Sequence, residues 1–246
     1  MTDSLPILSD SFGRKHDYLR ISLTDRCNLR CFYCMPEEGI ELTEKSHLMS
    51  IEEIVEMAKI FVSLGIKKIR LTGGEPLIRK NIELLLRELS KLPVELALTS
   101  NGILVDKYIE LFKETGLKKL NISLDSLHKE KALFITKRDY FDRIMANIEL
   151  LLNENFDLKI NVVLMKGVND NELIDFIEWT KNKKLSLRFI EFMPFNGNNW
   201  DRSKTVALDE ILQTLKTTYG EKLIKIADSA NDTTLNYKIN DFEDIK

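Results

Sequence analysis

Cysteine is almost absent. There are three in 246 residues, and all of them, Cys27, Cys31 and Cys34, fall within one short stretch. That excludes a disulfide-stapled secreted scaffold. In a reducing compartment, clustered thiols point instead to metal or redox chemistry. Histidine is as scarce: His16, His47 and His128 lie at no finger-like spacing that would complete the four ligands of a structural zinc. No apolar run approaches the roughly 20 residues needed to cross a bilayer. The N-terminus lacks the basic start, apolar run and cleavage site of a secretory signal. The expectation is a soluble cytoplasmic chain with no membrane partner. Neither sign of charge dominates, since 36 basic and 39 acidic residues leave a net charge of −3. A general nucleic-acid binder is therefore not expected. Nor does any Pro/Gly/Ser-rich stretch mark a linker between domains.

What the chain has is alternation. Apolar runs that read as strands occupy 18–24, 67–74, 95–102, 118–126, 158–167 and 186–194. Helical patterns follow them at 50–65 and at about 80–91, 105–115, 139–154, 170–182 and 207–218. The first helix is the most explicit. Ser50 and Glu53 form a capping box, Ile54, Val55, Ala58, Phe61 and Val62 line one face, and Gly65 ends it. Six strand–helix units with near-continuous apolar strands predict an α/β fold with a parallel sheet covered by helices. The count predicts a partial, open (β/α)6 barrel of TIM type with right-handed crossovers, over residues 1–218. After Tyr219 the pattern weakens. "KLIKIA" reads as a short strand and 228–246 as loop and ragged terminus, so 219–246 reads as the start of a C-terminal region.

In barrel-type sheets, function gathers at the carboxyl ends of the strands. Here those ends read "SLTD", "LTGGEP", "LTSNG", "ISLDS", "LMKG" and "FMPFNGNNW". The cysteines follow the first strand with the spacing Cys-x3-Cys-x2-Cys. Thiolates suit soft metals and iron–sulfur clusters, and three of them can hold three irons of a cubane and leave the fourth open. Zinc and three unrelated buried cysteines are the alternatives. Four cations, Arg20, Arg70, Lys159 and Arg188, interrupt otherwise apolar strands. Because Lys and Arg are rarely buried unpaired, inward-facing cations would suit phosphate oxygens. Snorkelling or pairing with a buried acid is the other reading.

The cysteine loop with Tyr33 before its last thiol, together with "TGGEP" at 72–76, resembles the radical S-adenosylmethionine superfamily. A narrower likeness covers nearly the whole chain. "DSFGR", "YLRISLTDRCNLRCFYCMPEEG", "KKIRLTGGEPLIRK", "LTSNG", "LNISLDS", "INVVLMKGVND" and "RFIEFMPFNGNNW" together resemble the GTP 3′,8-cyclase family of molybdenum cofactor biosynthesis. That resemblance implies a [4Fe–4S] cluster on Cys27, Cys31 and Cys34, with S-adenosylmethionine chelating the open iron and yielding a 5′-deoxyadenosyl radical. It implies cofactor contacts at Tyr33, Gly73, Gly74, Glu75, Ser123 and Met193. Gly73 and Gly74 would let the backbone come close to the cofactor, Glu75 would support the ammonium, and Tyr33 and Met193 would lie near the adenine. It also implies GTP as substrate, held at Arg20, Arg70, Thr99 and Lys159, and converted to 3′,8-cyclo-7,8-dihydro-GTP. Arg188 is a weaker candidate. An electron donor is implied as a partner, and a homodimer is left open.

The family also carries a second cluster on a Cys-x2-Cys pair plus a third cysteine, and a Gly-Gly C-terminus. This sequence has no spare cysteine. The expectation is a complete cofactor half beside a substrate half that is cut off. Two alternatives remain: another radical S-adenosylmethionine enzyme, peptide-modifying or activating, and a non-catalytic cluster- or cofactor-binding module.

Overall fold

The protein's structure is a computed structural model that describes residues 8–34, 42–194, 198, 200–228 and 233–242. Six strands form one sheet in the order of the chain: β1 (Tyr18–Ser22), β2 (Lys68–Thr72), β3 (Glu95–Ser100), β4 (Lys119–Ser123), β5 (Asp157–Leu164) and β6 (Leu185–Glu191). Every neighbouring pair is parallel. Helices α1 (Ile51–Ser63), α2 (Ile82–Leu89), α3 (Ile109–Glu114), α4 (Lys129–Thr136), α5 (Phe141–Asn153), α6 (Leu173–Thr180) and α7 (Leu208–Tyr219) alternate with the strands or flank them. This is the expected partial barrel. The capping box of α1 forms as read, with Glu53 N donating to Ser50 Oγ at 3.2 Å and Ser50 N to the Glu53 carboxylate at 2.7 Å.

Two features differ from the sequence reading. Helix α4 was not anticipated. Its segment, KEKALFIT, buries Ala132 and Ile135 but leaves Leu133 and Phe134 exposed, so it lacks a clean apolar stripe. The region after Tyr219 is more ordered than a ragged terminus. Leu223–Lys225 (β7) pairs antiparallel with Tyr237–Ile239 (β8). Val206, Ile211, Tyr219, Leu223, Ile239 and Phe242 pack on Leu164, Leu173, Ile177 and Leu215. Those contacts are long-range, which local periodicity does not show.

The strands sort their side chains by parity. Ile21, Ile69, Leu71, Leu96, Leu98, Leu120, Ile122, Leu158, Ile160, Val162 and Leu185 are buried in the core shared with the helices. The alternate positions are therefore turned to the other face of the sheet, the barrel interior. They include Tyr18, Arg20, Arg70, Thr72, Thr99, Asn121, Ser123, Lys159, Asn161 and Arg188. The apolar face builds the fold and the polar face builds the site.

Candidate active site

The loop after β1 and the turn after β2 interlock. Gly74 N donates to Thr24 O at 2.6 Å, and Glu75 N to Arg26 O at 2.8 Å. A Cβ on Gly74 would stand 2.1 Å from Arg26 O, and one on Gly73 would stand 2.5 Å from Thr24 O. Gly73 also has φ +145°, a conformation side chains rarely adopt. The glycines therefore do more than admit a ligand. They let the turn close onto the backbone that carries Cys27.

Glu75 lies behind that turn, fully buried. Its carboxylate accepts from Leu77 N at 3.0 Å, Ser100 Oγ at 2.9 Å and Asn101 N at 2.7 Å. Burial pushes its pKa up, against those three donors. The ends of β2 and β3 are thus tied through one carboxylate.

The thiols converge on one cavity. It is lined by Cys27, Cys31, Tyr33 and Cys34, by Thr72, Gly73 and Gly74, by Thr99, Ser100 and Asn101, and by Ser123 and Asp125. Leu124, Ala132, Ile135, Phe141 and Ile144 supply an apolar wall, and Arg138 is the cation on its lining. Burial raises the pKa of all three thiols, and Asp125 and the other thiols add to it at Cys31, which lies well above the ordinary value. They are protonated at neutral pH and must release protons to bind a metal. Among the described residues, no three Cys, His, Asp or Glu side chains close on a single-ion site. Three thiols spread around one cavity suit a multi-iron cluster, in which each sulfur meets its own iron, better than a lone zinc ion.

Tyr33 is fixed from across the barrel. Its hydroxyl donates to Asp125 Oδ2 at 2.7 Å, while Val163 N donates to Asp125 Oδ1 at 2.8 Å. Burial pushes the Asp125 pKa up to about 6, against those two donors.

The cations form two tiers inside the barrel. At the amino ends of the strands, Lys68 pairs with Glu95 at 2.8 Å, Glu95 with Lys119 at 2.7 Å, and Lys119 with Asp157 at 3.9 Å. Arg20, Arg70, Lys159 and Arg188 have no acidic partner among the described residues. Burial lowers the Lys159 pKa, Arg188, Lys68 and Arg70 lower it further, and the attraction of Asp157 offsets this only in part. Cations that repel one another and have no salt-bridge partner of their own suit a polyanion. Arg70 also joins the two halves of the interior. Its Nη1 donates to Leu98 O at 2.9 Å and to Thr99 Oγ1 at 3.3 Å, and its Nε to the Tyr18 hydroxyl at 2.8 Å. Thr99 lines the thiol cavity.

Of the residues expected from sequence, Cys27, Cys31, Cys34, Tyr33, Gly73, Gly74, Ser123 and Thr99 meet at the cavity. Glu75 does not line it, and neither does Met193, which is 59% exposed. Trp200, read as shaping the barrel mouth or capping the core, donates Nε1 to Phe192 O at 2.8 Å and packs in the small cluster that includes Phe32 and Tyr33. Asp125, Asn101 and Arg138 were missed. Asp125 sits in the strand end "ISLDS" and Asn101 in "LTSNG", so both lay in stretches already singled out. Arg138 follows the unanticipated α4.

A parallel barrel with three thiols and a Gly-Gly-Glu-Pro turn at successive strand ends defines a radical S-adenosylmethionine protein, and the Radical SAM superfamily profile matches residues 21–180. GTP 3′,8-cyclase of Campylobacter jejuni is 42% identical over 239 residues, covering 96% of this chain and 74% of that protein. The mitochondrial GTP 3′,8-cyclase of Arabidopsis thaliana is 48% identical over 95% of this chain and 60% of its own length. Molybdenum cofactor biosynthesis protein 1 of Homo sapiens is 44% identical over 96% of this chain, which spans only 37% of that protein. The chain belongs to the GTP 3′,8-cyclase family of the radical SAM superfamily. That superfamily implies a [4Fe–4S] cluster and S-adenosylmethionine, and the thiol cavity fits both. Two solved structures share the fold: AdoMet-bound anSMEcpe, with TM-score 0.66 and 19% identity over 82% of this chain and 59% of that one, and TYW1 with a lysine–pyruvate adduct, with TM-score 0.60 and 19% identity over 87% and 76%. Among the described residues no helix is long and apolar enough to cross a membrane.

Proposed function

We propose that this chain is the cofactor- and triphosphate-binding core of a GTP 3′,8-cyclase in molybdenum cofactor biosynthesis. The observation that carries the reading is the tier of cations, Arg20, Arg70, Lys159 and Arg188, that have no salt-bridge partner among the described residues and are joined to the thiol cavity through the contact of Arg70 with Thr99.

Cys27, Cys31 and Cys34 would hold one [4Fe–4S] cluster, with an external electron donor. Gly73, Gly74 and Ser123 would border the methionyl end of S-adenosylmethionine, with Tyr33 set in place by Asp125. Glu75 locks the turn that carries the glycines, and Met193, just beyond β6, would meet the adenine. When bound, the cluster and S-adenosylmethionine supply the radical that removes the C3′ hydrogen of GTP. The chain's own residues do the positioning. Arg20, Arg70 and Lys159 neutralise the triphosphate, and Thr99 stands where nucleotide and cofactor meet. Alignment of this kind is worth many orders of magnitude in rate.

Lys159 is the discriminating residue, because among the described residues its side chain makes no hydrogen bond or salt bridge that a substitution would break. Titration of the anaerobically reconstituted protein with GTP, and separately with S-adenosylmethionine, tests the reading. Lys159→Met is expected to weaken GTP binding by about 1.5–3 kcal/mol, roughly ten- to a hundredfold, and to leave S-adenosylmethionine binding unchanged. Unaltered GTP affinity contradicts the substrate assignment and favours another radical enzyme.

A further inference from the structure

Asn101 is held more tightly than the strand-end residue of a loop needs to be. It is 7% exposed and sits on the cavity wall. Its backbone N–H donates to Glu75 Oε2 at 2.7 Å, and its Oδ1 accepts from Ile103 N at 3.1 Å. The first bond fixes the backbone and the second the side-chain oxygen, which leaves Nδ2 aimed at the cysteine loop. There it donates to Asn28 Oδ1 at 2.6 Å and lies 3.7 Å from Cys27 Sγ, within hydrogen-bonding range for sulfur. Leu29 N approaches the same sulfur at 3.4 Å.

We propose that Asn101 is a positioning residue for the cluster: anchored by Glu75, it seats the Cys27 loop through Asn28 and presents an N–H to the Cys27 sulfur, raising the cluster's reduction potential. The inference rests on the cluster reading above and deepens it. The physical argument is one of charge. Reduction adds an electron whose density is shared with the thiolate sulfurs. A donor dipole pointed at a sulfur stabilises the reduced state more than the oxidised one, and such bonds are among the levers that set iron–sulfur potentials. It also extends the part of Glu75 beyond tying the ends of β2 and β3. The carboxylate reaches neither the cavity nor a cation; it holds the residue that holds a cluster ligand.

The test is a potentiometric titration of the reconstituted protein followed by the spin-resonance signal of the reduced cluster, with iron and sulfide per chain measured alongside. Asn101→Leu removes the donor without adding charge. Asn101→Asp keeps the shape and the bond from Ile103 but cannot donate when ionised. Both are expected to shift the midpoint to more negative potential, the aspartate further. If the leucine variant does not load a cluster, Asn101→Ala, which also removes the donor without adding charge, decides in its place. A midpoint equal to that of the unaltered protein at full cluster loading overturns the role of Asn101 and leaves the cluster reading intact. An unaltered protein that binds no iron–sulfur cluster overturns both.

Discussion

The Tyr33 hydroxyl donates to Asp125 Oδ2 at 2.7 Å, a bond that spans 92 positions of sequence and ties the cysteine loop to the carboxyl end of β4. Because burial raises the Asp125 pKa from 3.8 to about 6, the folded cluster-free protein holds a proton that the unfolded chain releases. Between about pH 4 and 6 stability should therefore fall as pH rises, by on the order of 3 kcal/mol from this group, and then level off. Asp125→Asn should abolish that slope in thermal melts of the cluster-free protein and leave it no less stable at pH 7.5. A variant that keeps the slope assigns it to another group.

Gly74 makes the sharpest steric prediction. In Gly74→Ala the new methyl would meet Arg26 O at 2.1 Å, a backbone atom that cannot swing aside. The turn must move away from the cysteine loop, at about 1–3 kcal/mol or more. Iron content after reconstitution should drop with it. Full loading and an unchanged melting temperature would show that the interlock is dispensable.

How far the sequence carried this account depended on the range of the interaction. The six strands, the capping box of α1 and the spacing of the thiols are local patterns, and all are present as read. The inward cations were also local, since a lysine at position 159 of an apolar strand is conspicuous by itself. What escaped were contacts made across the barrel. Asp125 matters because it meets Tyr33, and Asn101 because Glu75 holds it beside Cys27. Neither partner is near in the chain. Helix α4 escaped because its apolar residues lie on two faces, and β8 because its pairing with β7 is decided by packing on α7 and β5.

In the lower tier of the barrel interior, Glu95 bridges Lys68 and Lys119. Burial opposes ionisation of Glu95, but those two ammoniums outweigh it and hold the carboxyl below its usual value. Its contribution to stability is thus present above the ordinary carboxylate range and lost as pH falls through the lowered value. The pairs are part-exposed, so Glu95→Gln should cost under about 1 kcal/mol at neutral pH. The same change releases two cations toward the interior and should tighten the binding of GTP. Weaker binding would mean that the lower tier shapes the site rather than balancing its charge.

The central claim is that Cys27, Cys31 and Cys34 hold a single [4Fe–4S] cluster with an open iron for S-adenosylmethionine. The most direct measurement is the spin-resonance spectrum of the anaerobically reconstituted, dithionite-reduced protein with and without S-adenosylmethionine, alongside iron analysis. The account predicts about four irons per chain, a cluster signal that shifts when S-adenosylmethionine is added, and loss of that signal in Cys31→Ala. A colourless protein holding stoichiometric zinc, or a cluster signal indifferent to S-adenosylmethionine, would contradict it.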